Sequence, residues 1–266
     1  MHVVQKQPTV RSSKSGLFRV HQIPAAKDNF VWLLEYETGK CAAIDGPSAT
    51  EVLDYCSQHQ LRITTILNTH IHGDHIGINH DLARRRKLDG VQIYGAAATA
   101  DRIPYLTDAL NDGDSIHLGA VQGTVLLTEG HIKGHLSFVF DEFLFCGDTL
   151  FTCGCGYLFE GDYKAMYRSL QRLASLSPNS LVCCAHEYTE DNIQFALSIE
   201  PNNQALIERY NSVSLRRKEG YSVVPSHLQE ELDTNPFLRA SSELEFKKRR
   251  ELKNTGEYRR SLFPSP

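Results

Sequence analysis

The stretch that decides the fold of this chain is ITTILNTHIHGDH, residues 63–75. Its first five residues are β-branched or apolar, which predicts a short buried β-strand. Three histidines and an aspartate follow almost directly, at His70, His72, Asp74 and His75. This polar cluster therefore comes where a strand ends. There the sheet fixes the backbone while side chains still reach an open cleft.

The spacing of these four side chains indicates a metal site. Imidazoles and a carboxylate so close together are costly to bury unless a cation lies between them. His70 and His72 are two residues apart, so in extended backbone both side chains project the same way and can hold one ion. Asp74 and His75 follow Gly73 and can turn towards a second ion. A lone histidine at a strand end is more often an ordinary surface residue, but four donors in this pattern favour two metal ions.

Three later segments supply further candidate ligands. His131 comes shortly after the apolar run V-L-L, Asp148 directly follows F-C-G, and His186 directly follows L-V-C-C-A. Each residue alone has an ordinary structural explanation, such as a turn cap or a hydrogen-bonded histidine. Their common placement at the carboxyl end of an apolar strand favours one shared site.

Together these motifs resemble those of the metallo-β-lactamase superfamily and, more narrowly, those of glyoxalase II, the hydroxyacylglutathione hydrolase family. The H-x-H-x-D-H run and the later G-H and G-D-T-L-F motifs are typical of the superfamily. H-E-Y-T at 186–189 and N-P-F-L-R at 235–239 are typical of the family. The similarity extends from about Phe18 to about Tyr258. It implies an α/β fold, an αβ/βα metallo-β-lactamase sandwich followed by a small C-terminal helical domain.

The resemblance also implies how the candidate ligands are divided between two divalent ions. The ligands of the first ion would be His70, His72 and His131. Those of the second would be Asp74, His75 and His186, with Asp148 bridging both ions. Asp74 and Asp148 are also the expected catalytic residues, and a metal-bound hydroxide the expected nucleophile. Zinc is the expected metal, with iron or manganese as alternatives.

The substrate implied by the resemblance is S-D-lactoylglutathione, a 2-hydroxyacyl thioester that would be hydrolysed to D-lactate and glutathione. This is the second step of methylglyoxal detoxification. The expected substrate contacts are Tyr157, Phe159, Tyr188, Arg250 and Lys253.

Two of these contacts depend on the context of a basic run, KKRR at 247–250. Such a run is by itself typical of a solvated helix face. The resemblance implies a carboxylate clamp instead, because family members hold the glycine carboxylate of glutathione with a late Arg-x-x-Lys, which Arg250 and Lys253 match behind the N-P-F-L-R motif. Helical spacing is consistent with this, since it puts both cations on one face. Many relatives carry a lysine and a tyrosine where this chain has Tyr157 and Phe159. These replacements remove a charge and a hydroxyl from the glutathione site.

Composition agrees with a globular enzyme. The chain has 266 residues, 41% of them hydrophobic, and a net charge of −4, which provides no general attraction for nucleic acid or anionic membranes. No apolar run has the length needed to span a bilayer. Seven scattered cysteines fit a reducing compartment. We therefore expect a monomeric cytoplasmic enzyme that acts on a small-molecule thioester and has neither a nucleic-acid nor a membrane partner.

The domain organisation follows from patterning along the chain. Residues 1–15 are polar and basic without the apolar core of a secretory signal, and we expect a disordered extension. Residues 16–186 alternate short apolar strands with glycine-containing turns and are the expected catalytic domain. Strand-like runs are nearly absent from 187–266, the expected helical substrate-binding domain.

Other functions on the same scaffold remain open from the sequence. A lactonase, a β-lactamase, a phosphodiesterase or a thioesterase for a different thiol would share the metals, although a β-lactamase of the commonest type would be expected to lack the bridging Asp148. The Arg250/Lys253 helix argues against the first three of these. A persulfide dioxygenase would use a single iron, and a non-catalytic binding module would be expected to have lost ligands. The presence of all seven candidate ligands argues against both.

Overall fold

Two stacked β-sheets form the centre of the molecule. The structure is a computed structural model and describes residues 7–160 and 162–259. The strands are β1 (Thr9–Ser12), β2 (Arg19–Ala25), β3 (Asn29–Glu37), β4 (Lys40–Ile44), β5 (Arg62–Leu67), β6 (Gln92–Ala96), β7 (Asp108–Leu110), β8 (Ser115–Leu118), β9 (Val121–Leu127), β10 (Leu136–Phe140), β11 (Phe143–Gly147), β12 (Leu150–Phe151), β13 (Gly154–Cys155), β14 (Leu181–Cys184) and β15 (Ser226–His227). The α-helices are α1 (Thr50–His59), α2 (Gly73–Arg84), α3 (Tyr163–Ala174), α4 (Thr189–Ile199), α5 (Gln204–Lys218), α6 (Leu228–Thr234) and α7 (Glu243–Thr255).

The two sheets differ in topology. The first has seven strands in sequence order, β1 to β7, antiparallel as far as β4 and parallel from β4 to β7. The second has six strands in the order β15-β14-β11-β10-β9-β8, with β11 and β14 parallel. Strands β12 and β13 form a separate two-stranded hairpin.

Strand β3 shows why the layers stack as they do. Its buried side chains alternate between two cores. Phe30, Trp32 and Leu34 belong to the large core that also contains the phenylalanines of β10 and β11 in the second sheet. Val31 and Leu33 face the opposite way, into a second core with side chains of α1 and α2. Because both faces of the strand are apolar, the first sheet is covered by helices on one side and by the second sheet on the other.

Polar contacts join the two sheets at the same place. Trp32 lies 3% exposed between them, its ring 6.0 Å from that of Phe145, and its Nε1 donates to the carbonyl oxygen of Cys184 at 3.0 Å. The amide of Phe30 donates to the carbonyl of Ala185 at 2.7 Å. The carboxyl end of β14 is therefore held beside the start of β3.

The carboxyl ends of four strands carry the segments that the sequence marked as ligand-bearing. These strands are β5, β9, β11 and β14. Helix α2 begins at Gly73, so Asp74 and His75 lie in its first turn. The predicted sandwich with a C-terminal helical region, α4 to α7, is confirmed.

Two expectations about the chain's segments need correction. The expected disorder of residues 1–15 is wrong for Thr9–Ser12, which pair with β2 as an edge strand. All four side chains of this strand are exposed, so it is held by main-chain hydrogen bonds and leaves no apolar signal in the sequence. The expected helical region 187–266 also contributes β15, which pairs with β14. The parts of these two expectations that fall on 1–6 and 260–266 lie outside the described residues.

Two chain-wide features complete the fold. Among the described residues, no helix combines the length and the apolar character needed to cross a membrane. All seven cysteines are buried free thiols.

Candidate metal centre and adjoining cavity

The first group of candidate ligands brings three imidazoles and one carboxylate together. Nδ1 of His72 lies 2.9 Å from Nε2 of His70 and 3.0 Å from Nε2 of His131. Oδ2 of Asp148 lies 3.5 Å from Nε2 of His131. These residues come from the ends of β5, β9 and β11, so three separate strands position one cluster.

The second group lies on the other side of the same aspartate. Oδ2 of Asp74 lies 3.6 Å from Nε2 of His75 and 3.3 Å from Nε2 of His186. Oδ1 of Asp148 lies 3.5 Å from each of these two nitrogens. The two carboxylate oxygens of Asp148 therefore face different groups, which is the arrangement of a bridging ligand.

The donor atoms fit a pair of cations. Nε2 of His75 and Oδ1 of Asp148 are buried and have no hydrogen-bond partner among the described residues. Buried polar atoms are normally hydrogen-bonded, since leaving them unpaired is costly. A cation between them would satisfy both. Mixed imidazole and carboxylate donors suit zinc, iron or manganese.

The charges of the centre also favour cations. Burial would raise the pKa of Asp148, but neighbouring His186 and His75 hold it well below its usual range. The pKa of Asp74 is likewise low, because His186 and His75 outweigh its burial. Burial and the nearby imidazole of His75 lower the pKa of His70 well below the ordinary value. The carboxylates are therefore ionised, and His70 keeps a free lone pair.

A cavity of about 240 Å³ adjoins the centre. It is lined by Phe151, Cys155, Tyr157, Tyr188, Asp191, Asn192, Arg250 and Lys253. The ring of Tyr188 stacks on that of His186 at 4.7 Å, and the carbonyl of Tyr157 accepts from Nδ1 of His131 at 2.6 Å. These two tyrosines form the border between the cavity and the candidate ligands.

Both cations of the cavity are buried and held in place. Nη1 of Arg250 donates to the carbonyl of Cys155 at 3.1 Å. Nζ of Lys253 donates to Oδ1 of Asn192 at 2.6 Å and lies 3.4 Å from Oδ2 of Asp191. Burial lowers the pKa of Lys253 to about 8. An anionic group that enters the cavity therefore meets two fixed donors.

Phe159 lies outside this lining, beside the centre itself. Its ring is 4.8 Å from that of His72 and 5.2 Å from that of His131, and the residue is 62% exposed. The ring of Tyr157, 51% exposed, is 5.1 Å away. Two exposed aromatic rings thus border the approach to the centre.

Comparisons with known proteins agree with this geometry. Residues 30–186 match the family model of the metallo-beta-lactamase superfamily, and residues 187–260 match that of the hydroxyacylglutathione hydrolase C-terminus. The hydroxyacylglutathione hydrolase of Methylococcus capsulatus is 47% identical over 229 residues, 85% of this chain and 88% of the relative.

The chain belongs to the hydroxyacylglutathione hydrolase family.

Solved structures share the fold of this hydroxyacylglutathione hydrolase family member at lower identity. ETHE1 from Myxococcus xanthus superposes with a TM-score of 0.61 at 21% identity, covering 93% of this chain and 91% of that chain. TTHA1623, solved in a di-iron-bound form, has a TM-score of 0.50 at 27% identity and covers 62% of this chain and 90% of that chain.

The structure brings all seven predicted ligands of this family member into two adjoining groups. Four of the five predicted substrate contacts line one cavity, and Phe159 lies beside the ligands instead. Sequence reasoning missed the residues that orient the ligands. Oδ2 of Asp45 accepts from Nδ1 of His75 at 2.9 Å, and Oδ1 of Asp28 accepts from Nδ1 of His186 at 3.0 Å. Such partners fix which imidazole nitrogen is free for a metal.

Asp45 and a further missed residue, His135, could have been found from the sequence. Asp45 directly follows β4, so the strand-end rule that found the ligands also applies to it. His135 lies in the same T-E-G-H-I-K-G-H run as His131. It is fully buried, and its Nε2 accepts from the backbone amide of Asp148 at 3.1 Å. This hydrogen bond helps to fix the backbone of Asp148, the candidate bridging residue.

Proposed function

We propose that the chain hydrolyses thioesters of glutathione, and S-D-lactoylglutathione in particular, to give D-lactate and glutathione. The observation that carries the proposal is the cavity with Arg250 and Lys253, which opens directly beside the seven candidate ligands. If the cavity holds a carboxylate of the substrate, the thioester of the same molecule lies next to the candidate ligands. The relationship to enzymes named hydroxyacylglutathione hydrolase supports the same substrate.

We propose further that the centre holds two zinc ions. The bridging position of Asp148 supports the number, and the di-iron form of TTHA1623 is a precedent for a pair. When bound, the ions would lower the pKa of a water molecule and polarise the thioester carbonyl.

The residues of the cavity bind and orient the substrate. Arg250 offers a planar fork that suits a carboxylate, and Lys253 adds a second charge one helical turn away. Tyr157 and Tyr188 border the thiol part of the substrate. Because Asn192 holds Lys253 in place, little side-chain freedom is lost on binding.

The residues of the centre act on the water molecule. Asp74 remains ionised, and its side chain is 43% exposed, so it can accept a hydrogen bond from the attacking water. The water oxygen bonds to the carbonyl carbon and gives up one proton on the side of Asp74. The carbon–sulfur bond breaks with its electron pair on sulfur, and the thiolate that leaves takes up a proton to give the thiol and the carboxylic acid. A thiol has a pKa of about 8.5, so the leaving group needs little help from a general acid.

The direct test is an assay of the zinc-loaded protein with S-D-lactoylglutathione, following the loss of thioester absorbance. We expect turnover that a chelator abolishes and zinc restores. A folded, metal-loaded protein that leaves this substrate intact but opens a lactone or a β-lactam would contradict the proposal. Oxygen uptake with glutathione persulfide would instead indicate a dioxygenase.

A thioesterase for a different thiol is the second candidate. Tyr157 and Phe159 favour it, because their exposed aromatic rings carry no charge that could bind a charged group of a peptide-like thiol such as glutathione. Lactoyl thioesters of cysteinylglycine and coenzyme A, assayed beside the glutathione thioester, separate the two. A higher kcat/KM for either alternative thiol would assign the site to it.

A further inference from the structure

The N-P-F-L-R motif between α6 and α7 has no role in the proposed chemistry, yet its asparagine is fully buried. The side-chain amide of Asn235 donates to the carbonyls of Phe151 and Gly154 at 3.1 and 3.0 Å and lies 3.1 Å from Oε2 of Glu231. Its Oδ1 accepts from the backbone amide of Phe237 at 3.0 Å. The donors and the acceptor of this side chain are therefore all engaged.

The carbonyls that Asn235 holds belong to the β12–β13 hairpin, and other side chains of the C-terminal helices hold its remaining groups. Asn192 donates to the carbonyl of Thr152 at 3.0 Å, and Oε2 of Glu231 accepts from the amide of Cys153 at 2.8 Å. Cys153 has a φ of 55°, a left-handed conformation that a residue other than glycine keeps only where its surroundings enforce it. The C-terminal helices therefore impose the shape of this hairpin.

The hairpin in turn reaches the candidate ligands at both of its ends. Asp148 lies two residues before β12. At the other end, a Cβ on Gly156 would lie 2.0 Å from the carbonyl oxygen of Asp148 and 2.9 Å from Nδ1 of His131. The next residue is Tyr157, whose carbonyl accepts from that same nitrogen of His131 at 2.6 Å. A shift of the hairpin would thus move both a ligand's orienting partner and the backbone of the bridging ligand.

We propose that Asn235 is a positioning residue for the metal centre. By fixing the hairpin, it fixes the Tyr157 carbonyl that orients His131 and the backbone packed against Asp148. The proposal rests on the ligand assignment made above and not on the identity of the substrate. Loss of the Asn235 amide should weaken metal binding, although the residue contacts no candidate ligand. Partners that orient metal ligands typically change metal affinity by about 10- to 100-fold.

The test compares Asn235→Ala with Asn203→Ala. Asn203 lies in the same helical region and also makes side-chain hydrogen bonds, to Glu200, to the carbonyl of Asp233 and from the amide of Leu206. None of these reaches the hairpin, so this variant controls for general loss of helix stability. Zinc affinity is measured by competition with a chromophoric chelator, on proteins whose fold is verified by circular dichroism.

We expect Asn235→Ala to bind zinc about tenfold more weakly or worse, with Asn203→Ala within about twofold of the wild type. At excess zinc, the Asn235→Ala variant should show the same rise in Tm on metal binding as the wild type. A folded Asn235→Ala with wild-type zinc affinity would overturn the proposal. Equal loss in both variants would also overturn it, because general destabilisation would then explain the result.

If Asn235→Ala does not fold, a measurement on the wild-type protein tests whether the zinc site and the Asn235 segment are coupled. Coupling between two sites is reciprocal, so zinc should protect the hairpin and the Asn235 segment in turn. We expect zinc to slow hydrogen exchange at the amides of Cys153 and Phe237 more than at that of Leu206. Equal exchange with and without zinc at the first two amides would overturn the proposal. If zinc produces this protection but no thioester is hydrolysed, only the proposed function falls.

Discussion

Oδ1 of Asp148 and Nε2 of His75 lie 3.5 Å apart, and both atoms are buried without a hydrogen-bond partner among the described residues. Oδ1 of Asp148 carries a negative charge. Burial would lower the pKa of His75, but the carboxylates of Asp148 and Asp45 outweigh burial and raise this pKa, so a metal ion would take the place of the proton on Nε2. The pair therefore calls for a cation that contacts both.

Replacing Asp148 tests this relationship. Asp148→Asn keeps the shape but removes the charge that faces both groups, so we expect the bound zinc to fall from two ions to one or fewer per chain. Turnover should fall by more than about 100-fold, beyond what the loss of an orienting partner causes. Elemental analysis and the thioester assay measure the two effects. His117→Ala, an exposed histidine on β8, is the control, and full zinc content in Asp148→Asn would refute the bridging role.

Removing the metal should destabilise the fold. A ligand that binds the folded state alone stabilises it by about 4 kcal/mol at a free concentration 1,000 times its Kd. We therefore expect the Tm to fall on adding a chelator and to rise with free zinc concentration. Differential scanning fluorimetry across a zinc titration measures this. An identical Tm with and without zinc would mean that the two groups do not bind it.

Lys253 should contribute to substrate binding more than to the chemical step. Lys253→Gln removes the charge that we propose binds the substrate carboxylate equally in the ground state and the transition state, so KM should rise with kcat nearly unchanged. A hydrogen bond to a charged group contributes about 1.5–3 kcal/mol, which corresponds to a rise in KM of about tenfold or more. Lys248→Gln, on the exposed face of the same helix, is the matched control. Equal KM values in the two variants would show that Lys253 does not bind the substrate and that the basic run of α7 is an ordinary solvated helix face.

The pH dependence follows from the same residue. Burial lowers the pKa of Lys253 to about 8, and the protonated form is the one that attracts a carboxylate. The value of kcat/KM should therefore be on its plateau below pH 8 and fall as the pH rises through 8, towards the lower value expected for Lys253→Gln. Lys253→Arg stays protonated and should abolish this decline. A decline of the same size in that variant would assign it to another group.

Tyr157 should set the affinity for the thiol. Tyr157→Lys places a cation on the border of the cavity, and we expect it to lower KM for glutathione thioesters severalfold. Tyr157→Phe, which adds no charge, serves as the control. An unchanged or higher KM in Tyr157→Lys would show that the thiol does not pass this side chain.

The sequence predicted which candidate ligands lie together because their signal is local. Each of the four segments that carry them comes shortly after a strand, and donor type and spacing are visible within a few residues. The orienting carboxylates were missed for two reasons. Asp45 follows β4, but the strand-end rule was not applied to it, and Asp28 meets His186 only because the bridge between Asn29 and His186 brings distant segments together. The edge strand β1 was missed because exposed strands lack the alternation that marks a buried one.

The cavity was predicted only in part. Helical spacing placed Arg250 and Lys253 on one face, but nothing local reveals that Asn192 and the Cys155 carbonyl hold them in place. These contacts depend on how the C-terminal helices pack against the hairpin. The monomeric state and the cytoplasmic location stay predictions.

The position of Trp32 has a practical consequence. It is the sole tryptophan of the chain, and it lies between the two sheets with its indole nitrogen bound to β14. Its fluorescence emission therefore reports whether the two sheets are still packed against each other. A red shift would record their separation at the strand that ends beside His186, without any attached dye.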